Sequence, residues 1–318
     1  MPTCPGERGR LVADLLEELY GEDLKAAVAA GEVEIEPRAD GNPFNPTYRV
    51  SLRKGNALDS LGGGSLHRLN ELWRSLREDD FQRNVRDPNK SRIVAVGDSW
   101  FHYPFGSDLL EWFVEQYALK TLASAGDVLS RIVADRDYAP HVLAIKPHFF
   151  MLSAGGNDLL GEAPNGERNI KRMLIDFDPN AVDRITPAGR QTIIDTVQGF
   201  ETIRADLAGL GFNGRMIVHG YDYPSPSSRG PWLSEPLEAK GYLTDASQLA
   251  AVSQLVDAFR TAIATWAASH GEVIHADCVG LNGRGPQFWF DEIHPTMRAY
   301  RYRYLVPAFR TPMDAATP

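Results

Sequence analysis

From Ser91 onward, short apolar runs alternate with longer stretches whose apolar positions recur every three or four residues. The runs Ile93 to Val96, Lys120 to Ala123, Phe149 to Ser153, Met216 to Val218 and Val273 to His275 predict buried strands. Between them, Asp108 to Tyr117 places Leu109, Leu110, Trp112, Phe113 and Tyr117 at helical spacing, and Asp127 to Ala134 does the same with Val128, Leu129, Ile132 and Val133. Pro187 to Leu210 and Ala246 to Ser269 are long enough to cover a sheet face. Strand and helix in alternation predict an α/β fold, a mostly parallel sheet with helices on both sides.

The first 88 residues read differently. A short amphipathic helix, Arg10 to Tyr20, carries Leu11, Val12, Leu15, Leu16 and Leu19. Alternating runs at Glu32 to Glu36 and Tyr48 to Leu52 predict two brief strands. After Gly62-Gly63-Gly64, Leu66 to about Phe81 predicts a helix with Leu69, Leu72, Trp73 and Leu76 on one face. The segment is too poor in apolar residues to hold a large core, so residues 1–88 are expected to form an appendage of mixed α/β structure on a domain over 89–318.

The chain has 318 residues, 43% hydrophobic and 24% charged, the ordinary range of a globular protein. A net charge of −9 argues against nucleic acid or an anionic membrane as partner. No stretch approaches the roughly 18 apolar residues of a membrane span, and the N-terminus lacks the continuous apolar core of a signal peptide. The default expectation is therefore a cytoplasmic protein without integral membrane association. Cys4 and Cys278 are too few for a disulfide framework or a metal cluster, and read as unrelated thiols.

In an open parallel sheet, ligands bind beyond the carboxyl ends of the strands. The five strands are followed by Gly97-Asp98-Ser99-Trp100, Ser124-Ala125-Gly126-Asp127, Gly155-Gly156-Asn157-Asp158, Gly220-Tyr221-Asp222-Tyr223-Pro224, and a loop ending in Asp291-Glu292-Ile293-His294-Pro295. Hydroxyl, amide, carboxylate and imidazole groups thus collect at one rim. A serine hydroxyl becomes a nucleophile when a histidine takes its proton and a carboxylate holds that histidine in one tautomer. Ser99, His294 and Asp291 can fill those roles, and the chain order Ser, Asp, His is one that hydrolases use. The oxyanion formed on attack needs preset donors. The backbone N–H groups of Ser99 and Gly126 and the side-chain amide of Asn157 can supply them. Asp98 and Asp158 are expected to position their turns, and Pro295 to suit the first turn of a closing helix.

These blocks resemble the SGNH hydrolases, also called GDSL-type lipases and esterases. Gly97-Asp98-Ser99 is similar to the nucleophile block, Gly126 to the glycine of the second block, Gly155-x-Asn157-Asp158 to the oxyanion block and Asp291-x-x-His294 to the acid–base block. The resemblance runs from about Arg92 to Leu305. It implies a three-layer α/β/α sandwich on a five-stranded, flavodoxin-like sheet, no cofactor, no metal, and hydrolysis of esters through an acyl-enzyme. Trp100 stands where the family often has Leu, and Ser124 stands two before Gly126 where the second block lacks its usual asparagine.

The implied substrate is a short- or medium-chain acyl ester, lipid or glycan, or an acetylated carbohydrate. Trp100, Tyr221 and Trp232 are candidates for the wall around it; His102 could also touch substrate but reads more readily as a surface or core residue. Residues 221–244 hold Pro224, Pro226, Pro231 and Pro236, which excludes a long helix and predicts a partly ordered wall over the site, as does Leu159 to Pro187. His219 and His275 read as hydrogen-bonded core residues, and the alternation of Tyr300, Tyr302 and Tyr304 with Arg301 and Arg303 as a helix surface. Three other functions compete: an acyltransferase using the same acyl-enzyme, a binding protein on a hydrolase fold, and a metal-dependent phosphoesterase. The last needs several clustered His and carboxylate ligands, and no Asp-x-His is present.

Overall fold

The computed structural model describes residues 33–37, 48–52, 74, 77–103, 108–114, 116–163, 166–226, 230–283 and 288–316. The predicted helix Arg10 to Tyr20, the triple glycine and Cys4 lie outside them. Two short strands, β1 (Val33–Pro37) and β2 (Tyr48–Leu52), pair antiparallel, at the places where alternation predicts them. Of the predicted helix Leu66 to Phe81, the described part (Arg74 and residues 77–81) is helical and runs on to residue 84, and Phe81 is buried.

The main sheet is built from β3 (Arg92–Gly97), β4 (Ala118–Thr121), β5 (Phe149–Ser153), β6 (Arg215–His219) and β7 (Val273–Ala276). All pairings are parallel and the spatial order is β4-β3-β5-β6-β7. The winding direction therefore reverses between β3 and β5, and this switch point is where an α/β sheet opens a crevice.

Successive strand residues point to opposite faces, and both faces here are covered. Val94 and Val96 of β3, Phe150 and Leu152 of β5, and Met216 and Val218 of β6 pack into one core. Over it lie α1 (Leu129–Asp135), α2 (Tyr138–Ile145), α5 (Pro187–Gly209) and α7 (Asp245–Ala268). Ile93, Ala95, Phe149, Met151 and Ile217 face the other way, against Leu109, Leu110, Phe113 and a C-terminal helix. Between β5 and β7 the described residues also form the short helices α3 (Gly156–Leu160), α4 (Ile170–Met173) and α6 (Ser234–Glu238). The long helices begin where the sequence supplies caps. The Thr186 hydroxyl accepts from the Gly189 N–H ahead of Pro187, and Thr244 and Ser247 form a capping box.

Besides β4, which spans Ala118–Thr121 where Lys120 to Ala123 is expected, three elements differ from expectation. The predicted helix Asp108 to Tyr117 is a single 3-10 turn, Leu109–Trp112, because the Asp108 carboxylate is held at once by Arg77 and by the N–H groups of Tyr103 and Glu111. Pro295 sits in an isolated antiparallel bridge with Trp289, and helix starts only at Met297. The Tyr-Arg alternation lies on a π-helical stretch, Tyr300–Arg310, whose buried residues are Tyr300, Tyr304, Leu305, Ala308 and Phe309. Spacings of four and five match the wider π turn, so two of the three tyrosines enter the core and only Tyr302 is exposed.

Candidate active site

Ser99 lies just past β3, on a tight turn closed by Asp98. The Asp98 carbonyl accepts from the N–H groups of Phe101 and His102, and its carboxylate accepts from the N–H of Trp100 at 3.1 Å. Gly97 permits this exit. Its φ is +144°, and a Cβ there would stand 2.2 Å from the Ser153 carbonyl oxygen of the adjoining strand. The Asp98 carboxylate also accepts from the Ser153 hydroxyl at 2.6 Å and from the Tyr221 hydroxyl. Burial raises its pKa from 3.8 to about 6, with those hydrogen bonds opposing the rise.

His294 approaches from the loop after β7. That loop is fixed by the Asp222 carboxylate, which accepts from the N–H groups of Gly280 (2.6 Å) and Asn282 (2.8 Å) and from the Tyr304 hydroxyl (2.9 Å). Its tip is closed by Phe290 N–H donating to the His294 carbonyl at 2.8 Å. Within the turn, Asp291 Oδ1 accepts from the N–H groups of Ile293 and His294 at 2.8 and 2.7 Å. Asp291 Oδ2 is 2.6 Å from His294 Nδ1, and His294 Nε2 is 2.7 Å from Ser99 Oγ. All three side chains are buried. The three residues expected to act together are thus one continuous hydrogen-bonded row.

Asn157 opens α3 at the end of β5, the strand beside β3. Its amide donates to the Asp127 carbonyl at 2.8 Å. Gly126 stands one residue earlier, on a turn closed by Asp127 N–H to the Ser124 carbonyl, with a φ of +84° that suits glycine. It is exposed and lies outside the residues lining the cleft. Asp158 ties α3 to α1 by accepting from the Leu129 N–H at 3.1 Å, and burial raises its pKa.

An apolar cleft leads to this row. It encloses about 580 Å³ of empty space, part of it open to solvent. Ser99, His294 and Asn157 line it together with Leu159 and Leu160 of α3, Leu255, Val256 and Phe259 of α7, and Ile293.

Of the four residues considered around the substrate, Trp100 and Tyr221 line the cleft. The buried Trp100 also donates its indole N–H to the Ile293 carbonyl at 3.1 Å, tying the serine turn to the histidine turn. His102 and Trp232 are not at the cleft. The Asp98 turn directs His102 into the protein, where burial first, then Arg77 and Arg74, push its pKa far down and keep the ring neutral. Trp232 instead stacks with Arg168, whose guanidinium lies 4.0 Å from the ring centroid, and its backbone N–H is held by Glu292. The core histidines are not fully hydrogen-bonded as expected: His219 Nδ1 contacts the Gly220 carbonyl, but Nε2 of His219 and of His275 has no partner among the described residues.

Sequence reasoning missed two groups. Tyr103 packs on His294 with ring centroids 4.3 Å apart and donates its hydroxyl to Asp291 Oδ2 at 3.3 Å. Nothing in its local sequence marks it beyond a run of aromatics after Ser99. Glu292, inside the Asp291–His294 turn, accepts from the N–H groups of Trp232, Leu233 and Ser234 and from the Ser234 hydroxyl at 2.6 to 2.9 Å. A carboxylate between two candidate catalytic residues is a signal that could have been followed. Among the described residues no group of three or more His, Cys, Asp or Glu could hold a metal ion, and no helix is long and apolar enough to cross a membrane.

No family model matches the chain, and no curated protein matches it. Solved structures similar to it include a proposed platelet activating factor from Streptococcus pneumonia, with 12% identity and a TM-score of 0.47 over 78% of this chain and 94% of that one. A proposed GDSL-like lipase from Parabacteroides merdae aligns at 12% identity and a TM-score of 0.46, over 73% of this chain and 98% of its own. A catalytic mutant of an acetylxylan esterase from Geobacillus stearothermophilus aligns at 10% identity and a TM-score of 0.44, over 69% and 93%.

Proposed function

We propose that this chain is a serine hydrolase of carboxylic esters, with Ser99 as nucleophile, His294 as base and Asp291 as its orienting partner. The observation that carries the reading is the unbroken row from Asp291 Oδ2 through both ring nitrogens of His294 to Ser99 Oγ, opening on an apolar cleft. Asp291 fixes the tautomer with the proton on Nδ1, so Nε2 is free to take the Ser99 proton as Oγ attacks the ester carbonyl carbon. The resulting imidazolium faces the Asp291 carboxylate. It then returns the proton to the leaving alcohol, and an acyl-enzyme remains. Water, deprotonated by the same Nε2, attacks that acyl group and releases the acid and Ser99.

The negative charge on the former carbonyl oxygen falls to the backbone N–H of Ser99, the amide of Asn157 and, in this reading, the backbone N–H of Gly126. Asn157 carries two amide hydrogens; one is held by Asp127 and the other serves the oxyanion. The cleft fits a hydrocarbon acyl group, because its lining beyond the reacting residues is largely aliphatic and aromatic. A short- or medium-chain acyl ester is therefore the proposed substrate class.

Ser99→Ala tests the reading. The variant is expected to fold normally and to lose on the order of 10⁴ to 10⁶ in kcat on p-nitrophenyl esters. It should also fail to react with a fluorophosphonate probe that labels the parent protein. A fully active Ser99→Ala enzyme would overturn the proposal.

A further inference from the structure

Two arginines that precede the hydrolase-like region reach into its strand ends. Arg74 and Arg77 are both helical and three positions apart, a spacing that puts side chains on one helix face. Arg74 donates to the carbonyls of Leu122 at 2.6 Å and Ala123 at 3.1 Å, and to the Ser124 hydroxyl. These residues follow β4, which lies two residues earlier than the apolar pattern predicts. The Leu122 and Ser124 N–H groups still donate to the Ala95 and Gly97 carbonyls of β3, and the guanidinium takes carbonyls of the same stretch.

The contacts continue toward the oxyanion side. The Ser124 carbonyl closes the turn that holds Gly126 by accepting from the Asp127 N–H. The Asp127 carbonyl in turn holds the amide of Asn157 at 2.8 Å. Arg77 makes a parallel connection. It donates to the Phe101 carbonyl at 3.0 Å and to Asp108 at 2.7 Å. Asp108 accepts from the N–H of Tyr103, and Tyr103 packs on His294 and donates to Asp291.

Resting on the serine-hydrolase reading above, we infer that the N-terminal segment is part of the active-site framework: Arg74 is a positioning residue that sets the Asn157 amide through the Ser124–Asp127 turn, and Arg77 supports the His294 side through Asp108 and Tyr103. A fork-shaped guanidinium suits this task, since it binds several acceptors in fixed directions. Neither arginine lines the cleft, so neither is expected to contact substrate.

The test is a double-mutant cycle between Arg74→Gln and Asn157→Ala in the full-length protein. Arg77 is left untouched because it is buried against Asp108 and its loss threatens folding. Arg74→Gln is expected to lower kcat roughly tenfold to a hundredfold with KM unchanged, the cost of a displaced donor. In the Asn157→Ala background the same change should have little further effect, because its route to the reaction is already gone. Should Arg74→Gln fail to fold, Ser124→Ala removes one acceptor of the same guanidinium and should show a smaller loss with the same non-additivity.

A lowered melting temperature with unchanged kcat, or losses that multiply fully in the double variant, would reduce Arg74 to a structural contact and overturn the inference. A silent Asn157→Ala would overturn it as well. Ser99→Ala keeps the two readings apart: if that variant is inactive while the cycle is additive, the inference alone falls. If it is active, the hydrolase reading falls first.

Discussion

At the residue scale, Tyr221 links two turns with one hydroxyl. It donates to the Asp98 carboxylate beside Ser99 and accepts from the Gly156 N–H beside Asn157 at 3.0 Å. Tyr221→Phe keeps the ring in the cleft and removes both bonds. If Ser99 and Asn157 act as proposed, steady-state kinetics should show kcat falling about tenfold while KM changes little, since a small displacement of preset donors is felt mainly in the transition state. Asn157→Ala should cost more, roughly 10²–10³ in kcat or about 2.7–4 kcal/mol, with labelling of Ser99 by fluorophosphonate slowed but retained. Asp98 adds a pH signature. Its folded-state pKa is raised, so the buried carboxylate is most tolerable when protonated; that contribution is complete below 3.8 and is lost as pH rises through about 6. Denaturation of wild type and Asp98→Asn in parallel should show the wild type gaining up to about 3 kcal/mol relative to the variant between pH 7 and pH 4.

At the element scale, residues 221–244 are fastened to the turn that carries His294. Glu292 collects the three N–H groups of Trp232, Leu233 and Ser234, and Ser225 N–H donates to the Glu292 carbonyl at 2.8 Å. Glu292→Gln places an NH₂ group against some of those donors. It should destabilise the protein by on the order of 1–3 kcal/mol in urea titration and admit protease cleavage within 221–244. The strands were legible because parallel strands buried on both faces read as short apolar runs, and Ser99, Asn157, Asp291 and His294 were legible because each follows such a run or closes the loop after one. What was not legible depends on partners distant in sequence. The 3-10 turn at Leu109 depends on Arg77, and Trp232 lies between Arg168 and Glu292. Pattern along the chain reports which face is apolar; it carries no record of which cation will meet which carboxylate.

At the scale of the whole molecule, the helical segment 77–84 is joined to the sheet region through a buried ion pair. Arg77 and Asp108 are 6% and 1% exposed. Deleting residues 1–88 would leave Asp108 buried without its cation, a loss of about 3–5 kcal/mol that should appear as a large fall in melting temperature. Replacing Asp108 by Asn in the truncated chain should recover part of that fall. The hydrogen-bonded row of Asp291, His294 and Ser99 joins residues 195 positions apart, Ser99 from the first strand of the main sheet and His294 from beyond the last. During synthesis, then, the Ser99 hydroxyl leaves the ribosome long before its proposed base exists, and on the hydrolase reading a nascent chain carrying the serine turn is chemically inert. On the hydrolase reading, competence arrives only with the final edge strand and its loop, so recovery of turnover after dilution from denaturant would report completion of the C-terminal third, however early the rest of the sheet has formed.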